Sequence, residues 1–475
     1  MHVIQRGPSL TVGIEEEYQI IDPVTRDLTP GFDALVQSAA AAAADVKAEL
    51  HRCQVEIGTR PCGSIPELRQ ELVTLRGLVI NAAREHGLTI AAAGTHPFSN
   101  WMQQEMTPKE RYLGVKAELQ DLAHRLLIFG THVHVAVEDP EFRIDCLNAA
   151  RYILPHLLCL STSSPFWFGR NTGLLSYRSI VFKNFPRTGV PRVLNGHADY
   201  ADLVDTLVRT HSIPDPSKIW WDVRPHHLYP TLEFRICDVN TRVDEAVCIA
   251  ALLQAVVAKM WKLRRDNMTF RVYASDLIEE NKWRAVRWGL GGKLIDFGKK
   301  TELPAPVLIR ELIEWFLDDV LDELGTRRHV EHAFTIMAEG SSAQRQLATF
   351  ARTGDLRAVV DQLIRETAEG VCEPHLGPPL EGPAIGSREG AGPHNSAPGH
   401  WEQYGGDGAG GVTSIGSLAP ACGAPSHPPP LPCRCSLSAA RSVPPLSPWR
   451  SSPSWPPARG SPPPWNPAAA AAPPP

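Results

Sequence analysis

Three consecutive glutamates, Glu15, Glu16 and Glu17, lie inside a segment that otherwise has the composition of a buried β-strand. The surrounding residues 9–22, SLTVGIEEEYQIID, are rich in apolar and β-branched side chains, which predicts a strand. Successive side chains of a strand point to opposite faces of its sheet. Glu15 and Glu17 must therefore share one face, and two carboxylates side by side repel unless a positive group lies between them.

Three further segments show the same alternation with equally unusual polar residues. In RCQVEIGTR, Glu56 stands between apolar neighbours. In THVHV, His132 and His134 share one face, and in TLEFRI, Glu233 and Arg235 do the same. Each segment taken singly could be a strand of a sheet with one solvated face. Such a face usually carries Thr, Lys, Ser and Gln, so the concentration of Glu, His and Arg indicates a functional site.

A divalent cation would neutralise the crowded carboxylates. Carboxylate oxygens with one or two imidazoles favour Mg²⁺ or Mn²⁺. Zinc is the rival, because an H-x-H strand also occurs in zinc hydrolases, but a zinc site would leave several glutamates without a role. Arg235, close to Glu233, favours a phosphate-bearing ligand, since guanidinium binds phosphate oxygens in pairs.

The chain shows neither a Walker A motif nor a GxGxxG fingerprint. Residues 289–293, GLGGK, lack the required spacing and the following Ser or Thr, so they are predicted to form a turn after a helix. A bound nucleotide would therefore be held by the metals and arginines of the sheet.

Composition limits the partners and the compartment. With a formal net charge of −5 and no basic stripe, the chain is not expected to bind nucleic acid. The apolar residues 243–260 include Asp244, Glu245 and Gln254, which predicts a buried helix and no membrane span. Scattered cysteines without a CxxC pair, and no apolar run near residue 1, predict a cytoplasmic protein with reduced thiols.

The composition changes near residue 370. More than half of the 43 prolines follow it, and residues 371–475 consist mostly of Pro, Gly, Ala and Ser. Such a segment cannot bury enough apolar surface to offset its chain entropy. The sequence therefore predicts one catalytic domain over residues 1–370 and a disordered tail over residues 371–475.

Hydrophobic periodicity within residues 1–370 predicts an α+β fold, with an antiparallel sheet early in the chain and helices that accumulate late. Residues 161–197, rich in Ser, Gly, Pro and Arg, are predicted to form a long loop. The predicted strands are 9–22, 52–60, 88–93, 128–137, 217–224 and 230–237, and the predicted helices are 65–86, 108–127, 143–160 and most of 243–368.

Several separated motifs, in order, resemble those of the type 2 glutamate–cysteine ligase, or carboxylate–amine ligase, family. They are GIEEEY, QVEIGT followed by Pro-Cys, GTHVHV, SSPFW-GR-TGL-SYRS, RPHHLYPTLEFRICD and NKWRA-R-GL-G-LID, and they cover roughly residues 9–368. The resemblance implies a glutamine-synthetase-like fold, in which a curved antiparallel sheet holds Mg²⁺ and ATP on its concave face and carries helices on its convex side.

The resemblance also implies roles for individual residues. His134 and Lys183 would contact the nucleotide, Arg235 would stabilise the transferring phosphoryl group, and Arg178 would contact the substrate carboxylate or a phosphate. Glu49 is a possible further ligand, although a solvated glutamate at a helix end is the favoured interpretation. The implied metal ligands are Glu15, Glu17, Glu56, His132 and Glu233.

The implied activity is the ATP-dependent joining of glutamate to an amine such as cysteine, through an acyl phosphate and with release of ADP. A homodimer is expected by analogy with the fold. Two alternatives stay open at this point: a zinc-dependent hydrolase built on His132 and His134, and a non-catalytic member of the fold that only binds a ligand.

Overall fold

The computed structural model describes residues 7–37 and 46–371. The predicted tail, apart from Val371, lies outside the described residues, so its predicted disorder stays a prediction.

The described strands are short except for the first one, which carries the three glutamates. They are β1 Val12–Ile21, β2 Val46–Ala48, β3 Gln54–Gly58, β4 Thr89–Ala91, β5 Thr131–Ala136, β6 Phe166–Trp167, β7 Arg170–Asn171, β8 Thr188–Gly189, β9 Trp220–Trp221, β10 Val223–Pro225, β11 Thr231–Phe234, β12 Lys293–Asp296 and β13 Thr301–Pro304.

The described helices become dense after residue 240. They are α1 Phe32–Leu35, α2 Ile65–Glu85, α3 Glu110–Leu119, α4 Asp121–Arg125, α5 Pro140–Ala150, α6 Leu154–Ser161, α7 Tyr177–Lys183, α8 His197–Arg209, α9 Val243–Arg265, α10 Ser275–Trp288, α11 Ala305–Glu311, α12 Asp318–Leu321, α13 Arg327–Val330, α14 His332–Glu339, α15 Ser342–Thr353 and α16 Leu356–Ala368. Single 3₁₀ turns lie at Trp101–Gln103, Arg151–Ile153, Pro216–Lys218 and Gly289–Gly291, and a π-helical turn lies at Leu312–Phe316.

The main sheet is antiparallel and has β1 near its centre. Its order is β10-β11-β5-β1-β3-β2, and β4 pairs with the far end of β1. The register sets Glu15 opposite His132, Glu17 opposite Glu56, and His134 opposite Glu233. Paired residues in antiparallel strands point to the same face. One face of the sheet therefore collects the polar side chains of four strands.

The opposite face of the sheet packs on helices and forms the core. Helix α9 lies against β1 and β5, and α2 packs against β1 and β4. Helix α9 is long and apolar enough to cross a membrane by composition alone, but 78% of its most apolar window is buried inside the protein. It is the buried helix that the sequence predicted.

The sequence predictions hold for six of the seven strands of the main sheet, miss β2, and fail where Ser and Gly obscure short elements. The region 161–197 is not a continuous loop, because it contains α7 and the strand pair β6–β7. Ser176 caps the N-terminus of α7, because its side chain accepts a hydrogen bond from the Ser179 backbone N–H. The predicted helix 108–127 is broken at Gln120, which has a φ of +49°.

Glu16 points into the core, where it forms an ion pair with Arg76 of α2. The Arg76 Nε donates to Glu16 Oε2 and Nη2 donates to Oε1, both at 2.7 Å, and neither side chain is exposed to solvent. Arg76 also donates to the carbonyl oxygens of Asn240 and Thr241, each at 2.8 Å. The Tyr18 hydroxyl donates to Glu16 as well. This network ties β1, α2 and the segment after β11 together.

Removal of one partner of this pair leaves a buried charge without compensation. We expect Arg76→Met to lower the free energy of unfolding by about 3–5 kcal/mol, and the double variant Glu16→Leu/Arg76→Met to recover much of that loss. Urea unfolding followed by circular dichroism measures both. As a control, Arg209→Met breaks an exposed pair with Asp205 and should cost at most about 1 kcal/mol. Equal losses in Arg76→Met and Arg209→Met would contradict the assignment.

Candidate active site

The first group of ligand atoms on the polar face consists of three carboxylates. Oxygens of Glu17, Glu49 and Glu56 lie within 4.8 Å of one another. Burial and the charge of Glu49 raise the pKa of Glu17 to about 8. Burial, with the charges of Glu15 and Glu49, raises the pKa of Glu56 well above its usual range. At Glu17, burial and the charge of Glu49 outweigh the charges of Arg178 and Arg235, so the described cations do not fully compensate this group of carboxylates.

Glu49 belongs to this group, which corrects the favoured interpretation of the sequence. It follows β2 directly and is not at the end of a helix. Strand β2 pairs with β3, with Lys47 opposite Glu56, so the chain returns Glu49 to the carboxylates of β1 and β3. The pairing of β2 with β3 fixes its position, and the three residues of β2 are too few to show a periodicity in the sequence.

The second group combines two carboxylates with an imidazole. Ligand atoms of Glu15, His134 and Glu233 lie within 4.8 Å of one another. His132 lies beside the group, with its Nδ1 3.2 Å from Glu15 Oε2 and 3.5 Å from Arg235 Nη1. Burial and the charge of Arg235 lower the pKa of His132 to about 4, so its imidazole is neutral at pH 7.

Two arginines hold Glu233 in its ionised form. Arg224 Nε donates to Glu233 Oε2 at 2.7 Å, and Arg235 Nη1 donates to Oε1. Burial raises the pKa of Glu233, but the charges of Arg224 and Arg235 outweigh burial and hold it well below its usual range. The sequence analysis missed Arg224, which the register of β10 and β11 sets opposite Glu233.

Arg178 lies against the edge of the polar face. Its Nη atoms donate to the carbonyl oxygens of Arg235 and Ile236, both at 3.3 Å. A Cβ on Gly130 would come within 2.4 Å of Arg178 Nη2, so a side chain at this position would displace the guanidinium group. The Gly130 N–H donates to Glu17 Oε2 at 2.7 Å. Gly130 thus contacts both Arg178 and Glu17, which belongs to the first group of carboxylates.

Lys183, at the other end of α7, lies elsewhere. Its side chain is two-thirds exposed, and its Nζ is 3.6 Å from Glu279 Oε2. Within residues 7–37 and 46–371, no recorded contact joins Lys183 to the carboxylates, the histidines or Arg235. The expected contact between Lys183 and a nucleotide therefore has no support from the geometry.

The donors present fit two divalent cations. One group offers only carboxylate oxygens, which magnesium and manganese prefer, and the other offers two carboxylates and an imidazole. The Nε atoms of Arg178 and Arg235 are buried and make no hydrogen bond to any described residue. Buried guanidinium donors without acceptors, beside two candidate cation sites, fit an anionic ligand that carries several oxygens.

Comparison with known proteins agrees with this chemistry. Residues 11–362 match the model of Glutamate–cysteine ligase family 2. A protein of Roseiflexus castenholzii is 55% identical over 362 residues, which are 76% of this chain and 95% of the relative, and one of Chloroflexus aurantiacus is 52% identical over 364 residues, which are 76% and 93%. Both are named "Putative glutamate–cysteine ligase 2". The chain belongs to glutamate–cysteine ligase family 2.

Solved structures with low sequence identity share the fold of this family 2 chain. A bifunctional glutathione synthetase from Pasteurella multocida has a TM-score of 0.55 and 15% identity, over 75% of this chain and 52% of that one. A glutamate–cysteine ligase from Francisella tularensis, in complex with AMP, has a TM-score of 0.55 and 12% identity, over 76% and 88%. The expected α+β fold, with an antiparallel sheet and helices behind it, is confirmed.

The group formed by Glu17, Glu49 and Glu56 can be tested through the stability of this family 2 chain. We expect Glu49→Gln to stabilise the metal-free protein at pH values above about 8, the pKa of Glu17. At such pH values Glu17 is ionised, and the variant removes the charge of Glu49 that repels it. The same change should reduce the rise in melting temperature that Mg²⁺ or Mn²⁺ produces, because a ligand is lost. Thermal denaturation with and without the cation measures both effects.

Glu323→Gln is the matched control, because it removes one carboxylate from an exposed pair with Lys262. It should leave the effect of the cation unchanged. If Glu49→Gln lowered the melting temperature without metal and kept the full effect of the cation, Glu49 would not belong to a cation site.

Proposed function

We propose that this chain is an ATP-dependent, ADP-forming ligase that joins the γ-carboxyl group of glutamate to an amine. The single observation that carries the proposal is the pair of adjacent ligand groups, Glu17–Glu49–Glu56 and Glu15–His134–Glu233, on one face of a sheet. Family membership supports the glutamate and cysteine substrates, because the relatives are named for that reaction. The alternative zinc hydrolase would not use the all-carboxylate group.

Two divalent cations, Mg²⁺ or Mn²⁺, would be held by these six residues and would neutralise the phosphate oxygens of ATP. The sequence analysis assigned the role of imidazole ligand to His132. The contacts favour His134 as the imidazole ligand, because its ring lies with Glu15 and Glu233. His132 would then orient Glu15, through the 3.2 Å contact between His132 Nδ1 and Glu15 Oε2.

Arg235 and Arg178 would act on the substrates directly. A carboxylate does not react with an amine at neutral pH, because its leaving group would be oxide. In the proposed reaction a carboxylate oxygen of glutamate attacks the γ-phosphorus of ATP, and ADP leaves. Arg235, fixed by Glu233, stabilises the negative charge of the phosphoryl group during this transfer.

The amine nitrogen then attacks the carbonyl carbon of the acyl phosphate, loses a proton and displaces inorganic phosphate. Arg178, held against Gly130 and the carbonyl oxygens of Arg235 and Ile236, would bind the glutamate or the departing phosphate. These residues position their ligands and supply charge, and neither step needs a covalent bond to the protein.

Release of ADP and phosphate tests the proposal. Purified protein with ATP, Mg²⁺, glutamate and a panel of amines should release both products only when an amine is present. We expect Glu233→Gln to lower kcat/KM by at least ~100-fold, because Arg235 loses its partner and a cation loses a ligand. A coupled ADP assay measures the rate.

Lys183→Ala is the control, because it removes a charged side chain at the end of α7. Among the described residues the Nζ of Lys183 contacts Glu279 at the surface and none of the site residues, so the kcat/KM of this variant should equal that of the unchanged protein. Amine-independent release of ADP, or full activity in Glu233→Gln, would refute the proposed ligase. Tightly held zinc without nucleotide binding would instead support the hydrolase.

A further inference from the structure

Glu49 differs from the other two carboxylates of its group in how the chain holds it. Glu17 lies within β1 and Glu56 within β3, so each is fixed by strands on both sides. Glu49 follows the last residue of β2, the outermost strand at this end of the sheet. Carboxylates within 4.8 Å of one another repel, and a residue beyond the end of an edge strand yields most easily. A contact outside the sheet is therefore needed to hold Glu49 in place.

The segment from Glu105 to Thr107 provides such contacts, because it runs along the residues that follow β2. The Arg52 N–H donates to the Glu105 carbonyl oxygen, and the Thr107 N–H donates to the Leu50 carbonyl oxygen, both at 2.9 Å. The Thr107 hydroxyl donates to the carbonyl oxygen of Glu49 itself at 2.5 Å. These bonds join the backbone of Glu49 to a segment outside the main sheet.

Helix α3, which follows this segment, adds a further bond. Among the ten residues of α3, only Tyr112 is buried. Its hydroxyl donates to the carbonyl oxygen of Ala48 at 2.6 Å. Burial, with the charges of Glu49 and Glu56, raises the pKa of Tyr112, so the hydroxyl keeps its proton and remains a donor. The buried side chain of this helix therefore holds the residue that precedes Glu49.

Three consecutive carbonyl oxygens, centred on that of Glu49, thus accept hydrogen bonds from Thr107 and Tyr112. In a regular antiparallel pair, a neighbouring strand bonds only every second residue. Acceptors on three residues in a row indicate that Thr107 and Tyr112 form a clamp on this turn of the chain. The carboxylate itself is held locally, because Glu49 Oε2 accepts from the Leu50 N–H at 3.0 Å.

We propose that Thr107 and Tyr112 are positioning residues for Glu49. They hold its carboxylate against the repulsion of Glu17 and Glu56, and thereby set the affinity of this group for a divalent cation. A ligand that is fixed before the cation arrives loses little freedom when the cation binds, so the clamp strengthens binding. The proposal rests on the proposed function, because that function supplies the cation.

Binding of Mn²⁺ alone to the purified full chain, measured by electron paramagnetic resonance, tests the proposal without turnover. Glu49→Ala identifies the site, since it removes a ligand from this group alone. We expect Tyr112→Phe, which removes only a hydroxyl, to raise the Kd for Mn²⁺ at that site roughly tenfold, the effect typical of groups that orient metal ligands. Thr107→Val should raise it as well, and Thr107→Ser, which keeps the hydroxyl, should not.

A double variant shows whether Tyr112 acts through Glu49. In Glu49→Ala/Tyr112→Phe the Kd for Mn²⁺ should equal that of Glu49→Ala, because a positioning residue has no effect once its carboxylate is gone. If the two effects on Kd multiplied instead, Tyr112 would act on the cation independently of Glu49, and the proposal would be overturned.

The dependence of ADP release on Mg²⁺ separates positioning from a general structural defect. Tyr112→Phe should raise the concentration of Mg²⁺ that gives the half-maximal rate, and excess Mg²⁺ should restore kcat. A rate that stays low at every concentration of Mg²⁺ would contradict the positioning role. Tyr273→Phe is the matched control, because it removes the hydroxyl of a tyrosine whose ring packs on Tyr152 and Phe297. It should change neither the Kd for Mn²⁺ nor the dependence on Mg²⁺.

Failure of this proposal and failure of the ligase function give different results. An unchanged Kd for Mn²⁺ in both Tyr112→Phe and Thr107→Val, together with amine-dependent release of ADP, would keep the ligase and overturn the clamp. Weaker Mn²⁺ binding in both variants, with no release of ADP for any amine, would refute the ligase and keep the clamp. If the unchanged protein bound no Mn²⁺, the clamp would be overturned together with the cation site.

Discussion

The alternation of three glutamates along one central strand is the constraint on which the rest of this structure depends. Because β1 is buried on both faces, each carboxylate needs compensation from its own side of the sheet. The core supplies Arg76 to Glu16 in a paired hydrogen bond. The other face supplies His132 and His134 to Glu15, but no described cation compensates Glu17 as fully, and its pKa rises to about 8. The asymmetry separates a structural pair from the proposed cation site.

The helices behind the sheet hold the strands of the candidate site in place. Arg76 reaches from α2, on the core side of the sheet, to the carbonyl oxygens of Asn240 and Thr241, after β11. One side chain therefore connects the strand of Glu15 and Glu17 to the segment that follows Glu233 and Arg235. Preorganised charges of this kind lower a barrier because they need no rearrangement during the reaction.

Helix α7 and the adjoining hairpin lie in a region that carries one residue of the candidate site. Arg178 faces Gly130 and the polar face. The sequence analysis described this region as a loop, since Ser, Gly and Pro outnumber the apolar residues there. The apolar spacing of residues 177, 180 and 181 covers only two turns, which is too short to stand out from such a background.

The sequence by itself determined the four strands that carry the unusual polar residues, the two faces of those strands, and most residues of the candidate site. A period of two needs only local information, so Glu15, Glu17, Glu56, His134, Glu233 and Arg235 could be found without coordinates. Tertiary structure alone decided which side chains meet. The pairing of β2 with β3 brought Glu49 to Glu17 and Glu56, the β10–β11 register brought Arg224 to Glu233, and the course of α7 left Lys183 at the surface. These relations depend on strand register and helix packing between distant segments, and no periodicity within one segment encodes them.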